Sequence, residues 1–501
     1  VALACTGRGT GTGQGGGGTV PPPEDAGPSA DPAPDGGTAT PPPASPPLTK
    51  DGWTLYGSGQ GLSEDVWDVS ADEGGNVYVA GGDALYAKAR SDQQFLRFDG
   101  KGAGLTQNCY AVGNPNDSSQ LDRHLHPDPP GPALTCPVIS VAGAAPGVAM
   151  IGFRGVGTDG DNDADWAQDS GGADLVAFDG AKVSRTRHVF IAAPPQTICP
   201  ANGNERHTYA CAYAYDWFWV MGRRKLRQVE RIVVNHDKGS AMYGDFFMGG
   251  KHASITALLS DAKARGYPDR LTGQPAKWQE AAGVWEHDHP AFYSASRDAF
   301  LTGESHALAI DPRSGTPWCS NGFRTAYLTG GYGAQLFGDD WWLKPQEPPN
   351  TTYYDFWPDN AVPTESVDND VESLSFCPDG TLWIGSGTHG LARMDPGGGV
   401  SYLGLPDPGT HGNSVLAVAC DPSDSSLWIG LGWGGVMHFK SGRFTVLDAA
   451  GLPDFVRQPV RSIQIDRWAS PRIVYFAFMA SKDSSDTTIL KPGGVAAYSG
   501  P

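Results

Sequence analysis

An all-β architecture of small repeated sheets is what this sequence predicts, and three observations predict it. The 501-residue chain carries 68 Gly and 41 Pro with only 18% charged residues, a composition suited to many tight turns between pleated strands. The stretch at 379–394, DGTLWIGSGTHGLARM, has a second copy 45 residues on, DSSLWIGLGWGGVMHF. Looser copies, each an apolar strand, an Asp/Gly/Pro turn and a second apolar strand, centre on Tyr78, Met150, Phe247, Trp318 and Tyr475; with Trp383 and Trp428 they make seven units. A four-stranded unit recurring about every 45 residues, lengthened by insertions in mid-chain, predicts a seven-bladed β-propeller with inserted loops.

Along the chain, residues 1–4 and Cys5, VALAC, read as a signal-peptide remnant and a lipobox. Cys5 is then expected to carry lipid and anchor the protein outside the cytoplasm; an ordinary cysteine is the competing reading. Residues 5–50 follow as a Gly- and Pro-rich tether, expected to be disordered because it has almost nothing to bury. No run of about 20 apolar residues follows. The propeller is expected over 51–501. Its last unit stops at GGVAAYSGP after a third strand, while the segment near 53–62, WTLYGSGQGL, matches the fourth-strand type. Pairing the two closes a ring and removes an exposed sheet edge.

Within the clearest unit, Gly385, Gly387 and Gly390 form a G-x-G-x-x-G run behind an apolar strand, the arrangement of a dinucleotide-binding turn. Such a turn must open a helix, whereas another strand, LARM, follows. The pattern also recurs one unit later at Gly430, Gly432 and Gly435. These glycines read as a tight turn between two strands, with Trp383 and Trp428 packing between units. His389 has no counterpart in the other copy.

The stretches GLSEDVWDVSADEGGNVYVAGGDALY, NDVESLSFCPDGTLWIGSGTHGLARM and SVLAVACDPSDSSLWIGLGWGGVMHF resemble the two-component-regulator propeller repeat, whose core is V-x-x-I-x-x-D-x-x-G-x-L-W-I-G-T-x-x-G-L. The resemblance covers three units well and four loosely. It implies an extracytoplasmic propeller, here a bacterial lipoprotein sequence without a kinase module, and binding or scaffolding rather than signalling chemistry.

The net charge of −19 argues against nucleic acid as a partner. The local basic run Arg223, Arg224, Lys225 and Arg227 reads as a solvated hairpin turn. Aligning the innermost strands places Trp67, Ile139, Glu230, His306, Glu372, Leu416 and Arg461 at one mouth of the central channel. Of these, Trp67, Glu230, His306, Glu372 and Arg461 are the candidate ligand-binding residues.

Asp161, Asp163, Asp165 and Asp169 fall at positions 1, 3, 5 and 9 of an acidic run. They resemble the calcium loops of some propeller blades, although Trp166 stands at the usual glycine position; a solvated acidic insertion is the competing reading. Glu286, His287 and His289, with His252 or His236, offer zinc-type ligands, against the plainer reading of a hydrogen-bonded histidine pair. Trp341, Trp342, Tyr353, Tyr354, Phe356 and Trp357 either stack on a sugar or a protein partner or pack on their own unit. Cys199–Cys211 and Cys109–Cys136 are the expected disulfides, and Cys319, Cys377 and Cys420 are expected to be simply buried.

No G-x-S-x-G, H-E-x-x-H or Walker sequence is present. The expected function is therefore non-enzymatic binding of a protein, glycan or small ligand at a propeller face, with calcium as the one candidate cofactor and membrane contact through the lipid anchor only. The alternative is a propeller enzyme of lyase or lactone-hydrolase type with a metal at the channel mouth. Convergence of the named carboxylates and histidines in one pocket distinguishes the two.

Overall fold

A computed structural model describes residues 37–38, 45–105, 108–109, 134–154, 172–189, 228–240, 242–251, 253–258, 284–288, 291–294, 297–301, 307–320, 325–328, 351–354, 370–406, 413–447, 450–483 and 488–500. Among these residues stand seven antiparallel sheets of four or five strands. Their first strands are Asp68–Ala71, Val138–Gly143, Gln228–Val234, Ala307–Ile310, Val371–Phe376, Val415–Cys420 and Val460–Asp466. Each touches the next in that order, and the last touches the first, so the sheets stand radially around one axis. This is a β-propeller.

The seven unit centres read from the sequence all lie in the second strand of their sheet. Tyr78, Met150, Phe247, Trp318, Trp383, Trp428 and Tyr475 are all buried, and several fill the wedge between neighbouring sheets. Trp383 meets Phe439 of the next sheet at 5.6 Å, and Trp428 meets Phe476 at 5.8 Å and Tyr498 at 5.6 Å. Trp318 and Phe376 repeat the contact at 5.3 Å. A large ring at this position fills space that widens away from the axis, which is why the repeat keeps an aromatic or bulky residue there.

The sheet begun by Val460–Asp466 and Ile473–Phe478 continues through Gly494–Tyr498 into Trp53–Tyr56 and Leu48–Lys50. Trp53 stands opposite Tyr498 and Tyr56 opposite Val495, and the Trp53 ring lies 4.8 Å from that of Tyr498. Two pieces of the segment expected to be unstructured thus form edge strands. Leu48–Lys50 is one, and Gly37–Thr38, paired with Lys182 and Val183, is the other. The unpaired backbone groups of an outer strand accept even a Gly-rich partner, because the pairing needs no buried side chain.

The glycine reading needs correction at its first position. Gly385 and Gly430 sit inside second strands, not in turns. A Cβ on Gly430 would stand 2.6 Å from Val460 Cβ, one on Gly385 2.8 Å from Val415 Cγ1, and one on Gly152 2.5 Å from Val229 Cβ. In each case one intruded side chain is a valine at or next to the start of the inner strand of the following sheet, so glycine here lets successive sheets close on one another. The other two serve the turn: Gly387 and Gly432 lie in it, and Gly390 and Gly435 end it with φ +90° and +92°. His389 belongs to the same turn. Its N–H donates to Ser386 Oγ at 2.9 Å, and its Nδ1 lies 2.8 Å from Thr388 Oγ1.

The aspartates of the repeat fasten the far ends of the inner strands. Arg90 of the first sheet grips Asp466 of the last through Nε and Nη2 at 2.7 and 2.9 Å, and Arg472 pairs with Asp421. Both carboxylates are fully buried. At the same end Cys377 and Cys420 form a disulfide across two adjacent inner strands, 43 residues apart. Simple burial was expected for both. The spacing of nearly one repeat brings them side by side, a relation visible only once the repeat is folded. Cys319 is buried.

Candidate functional site

Five of the seven first strands carry a register shift at the same place, between Val138 and Ser140, Val229 and Arg231, Val371 and Ser373, Val415 and Ala417, and Val460 and Ser462. A bulge inserts one residue and re-aims its side chain. The inserted residues are Ile139, Glu230, Glu372, Leu416 and Arg461, five of those that the sequence alignment placed at one mouth. The bulges stand where the inner strands begin, an end termed here the upper mouth.

Four of the expected ligand residues come together there. The Arg461 guanidinium lies 5.2 Å above the Trp67 ring and 3.7 Å from Glu230. Lys482, itself bound to Asp65 at 2.9 Å, approaches the same ring at 5.2 Å. Glu372 and Glu230 both act on Arg231, which donates to the Arg461 carbonyl at 3.1 Å. Burial and then the neighbouring Arg461 hold the Arg231 pKa below its usual value. Asp68 completes the group. Burial pushes its carboxyl up, against the pull of Arg231 and hydrogen bonds from Ser462 and the Val141 N–H. Among the described residues, Trp67 Nε1 and Arg461 Nε are buried with no hydrogen-bond acceptor.

Arg231 and Asp68 are missing from the sequence-derived set. The signal for Arg231 was its place beside Glu230: at a bulge two consecutive residues oppose one, so both can turn toward the axis.

Below this layer the inner strands of all seven sheets enclose a cavity of about 870 Å³, within the size range of small-molecule sites. Ser70, Ala142, Leu308, Ser375, Ala419 and Gln464 are among its wall. The cavity reaches the opposite, lower mouth at His236, Asp237, Lys238, Arg467 and Trp468.

The lower mouth is organised by two turns. On one side Glu73 accepts from Lys238 Nζ at 2.9 Å, His236 Nδ1 at 3.2 Å and Tyr243 OH at 3.0 Å. Burial pushes the Glu73 carboxyl up, but these donors outweigh it and hold the pKa below its ordinary value. Burial, reinforced by Arg467, pushes His236 down to about 4. Its ring is therefore neutral near pH 7, and facing an acceptor-only carboxylate it carries its proton on Nδ1.

On the other side Asp466 accepts from the N–H groups of Trp468 and Ala469, both at 3.1 Å. It thereby fixes the turn that carries Arg467 and Trp468. Arg467 stacks on Trp468 at 5.0 Å, and the Trp468 ring meets His236 edge-on at 4.8 Å.

The remaining expected residues fall elsewhere. Cys5, Asp161, Asp163, Asp165, Asp169, Cys199, Cys211, His252, His289 and His306 lie outside the described residues, as do the run 223–227 and Trp341, Trp342, Phe356 and Trp357. Glu286 and His287 lie in the strand Val284–Asp288, and Tyr353 and Tyr354 in Thr351–Tyr354; only the backbone of these strands is described. Cys136 is disulfide-bonded, and the backbone of Cys109 pairs with Leu134 two residues away. Among the described residues no three His, Cys, Asp or Glu side chains gather as a metal site, and no helix is long and apolar enough to cross a membrane.

No protein-family model and no curated protein matches the sequence. Solved structures with a similar course of chain include the extracellular domain of a hybrid two-component system protein from B. thetaiotaomicron, at 12% identity and TM-score 0.46. That match covers 88% of this chain and 40% of the other. YCF48 bound to D1 peptide is similar at 12% identity and TM-score 0.43, covering 92% of this chain and 98% of the other.

Proposed function

We propose that this protein is a non-enzymatic binding propeller that works outside the cytoplasm, tethered by lipid on Cys5, and that its central channel is the binding site for a small ligand or an extended piece of a larger one. One observation carries the reading. Seven inner strands surround a single cavity of about 870 Å³ whose upper end is spanned by Asp68, Arg231 and Arg461 and whose wall mixes polar and apolar groups. Such a cavity costs packing contacts that a purely structural core would keep, and its polar groups suit orientation of a guest. The extracytoplasmic setting is supported by the Cys377–Cys420 disulfide and by the bonded state of Cys136, since such bonds persist in oxidising compartments.

The test uses the full chain immobilised and exposed to membrane extract, with retained molecules identified by mass spectrometry. A Gln464→Trp variant, which fills the cavity from its wall, serves as the control. A molecule held by the natural chain and lost by the variant is the expected result; equal retention by both removes the channel as the site. Labelling with a palmitate analogue, lost in Cys5→Ala, tests the anchor. Calcium at Asp161, Asp163, Asp165 and Asp169 is separable from this reading, and calorimetric titration with Ca²⁺ that gives no heat removes it.

A further inference from the structure

The geometry points to an organic anion as the ligand class of this channel, bound at the lower mouth through its carboxylate by Arg467, with an apolar or aromatic body against Trp468. This deepens the channel reading and rests on it. The first support is charge. The cavity wall carries Arg231, Lys238, Arg461 and Arg467 against only Asp68 and Asp237, in a protein whose net charge is −19. Asp68, Glu73, Glu230 and Glu372 answer three of these four cations, so the pull on an anion is concentrated at the fourth, Arg467.

The second support is how these cations are partnered. Arg231 and Arg461 at the top are answered by Asp68, Glu230 and Glu372. Lys238 is answered by Glu73. Asp237, whose carboxylate accepts from the Gly239 N–H at 2.8 Å, and Glu73 act on Arg467 only through their charge. Arg467 differs from them: among the described residues its side chain has no ion pair and no hydrogen bond, and it stacks on Trp468 at 5.0 Å. A guanidinium presents five N–H donors in a planar fork that fits a carboxylate with two parallel bonds, and here the fork is left open toward the cavity.

The third support is rigidity. The Arg467–Trp468 turn hangs on Asp466, which is fully buried and clamped by both Arg90 bonds. The facing wall is fixed by the Glu73 group of three donors. A fixed turn presents the cation beside the aromatic surface, so binding has only the Arg467 side chain left to order.

Benzoate and benzamide test the proposal, because they share a ring and differ in charge. Binding is read by calorimetry on the full chain at constant ionic strength, and by fluorescence of the natural chain against Trp468→Phe. Benzoate is expected to saturate a single site at least tenfold more tightly than benzamide. Arg467→Gln is expected to bring benzoate down to the benzamide level while leaving the thermal midpoint of the free chain unchanged, and Arg443→Gln, on an exposed outer strand, to leave benzoate binding intact. Equal binding of the two probes, undiminished benzoate binding in Arg467→Gln, or no saturable benzoate signal overturns the anion site. The channel reading fails separately, through equal retention by the Gln464→Trp variant.

Discussion

The two mouths of the channel are built by different means. At the upper mouth a bulge repeats in five sheets, and whatever residue occupies it is aimed at the axis. Trp67, Glu230, Glu372 and Arg461 come together there because of where they stand in the repeat. The lower mouth is assembled by turns of unequal sequence, held through Asp466, Glu73 and the Cys377–Cys420 bond. Backbone geometry sets the first end, and individual side-chain bonds set the second. The upper mouth should therefore tolerate changes of residue type, and the lower should respond sharply to loss of single groups.

The largest expected effect breaks the lower end. Replacing Cys377 and Cys420 together by Ser removes a cross-link closing 43 residues, about 4 kcal/mol by chain entropy. Urea unfolding of the oxidised natural chain and the double variant measures it, and a loss of under about 1 kcal/mol would mean that the aspartates alone hold that end.

The next effect is pH dependence at the same mouth. His236 takes up its proton only near pH 4 when folded but near 6.5 when unfolded. Between those values the unfolded chain binds more protons, so stability present above pH 6.5 is lost as pH falls toward 4, on the order of 3 kcal/mol. The groups facing the ring are Glu73, Arg467 and Trp468. Glu73, held low by its donors, adds a loss of the same sign below its ordinary range. Denaturation midpoints across this window should fall less steeply in His236→Gln; parallel curves would remove His236 as the cause.

Smaller effects belong to the upper end. Gly430→Ala presses a methyl group against Val460, next to the bulged Arg461, and should cost about 2 kcal/mol. Thermal unfolding checks this, with Gly435→Ala as the contrast, since a Cβ there meets nothing within 4 Å and pays only the strain of a positive φ. Arg461→Gln should cost least, about 1 kcal/mol for the lost stacking on Trp67. If it costs more than Gly430→Ala, side-chain bonds govern this end too, and the contrast between the mouths fails.

The same contrast explains what was legible beforehand. The repeat exposed the sheets, the inter-sheet aromatics and the upper mouth, because a residue's place in a repeated strand carries over from unit to unit. Trp67 and Arg461 were found by counting, without any knowledge of what they touch. Arg467 and Trp468 were not, because the turn RWAS has no counterpart in the clear copies. His236 was noticed only as a spare metal ligand, whereas the structure sets it against Glu73, 163 residues away. The first glycine of the run looked like a turn because its cause, a valine of the next sheet, lies outside its own unit. The Cys377–Cys420 pair was hidden in the same way.

The seam where Trp53–Tyr56 lies against Gly494–Tyr498 fixes the order of assembly. Ser499 donates to the Gly52 carbonyl across 447 residues of chain. During synthesis the first of these strands must wait, half-paired, until the last has left the ribosome, while the intervening sheets can form from local contacts as they emerge. Until that moment the outer edge of one sheet lies open to any extended strand nearby. Closure is thus a late and single event, and the channel acquires its final shape only when it occurs.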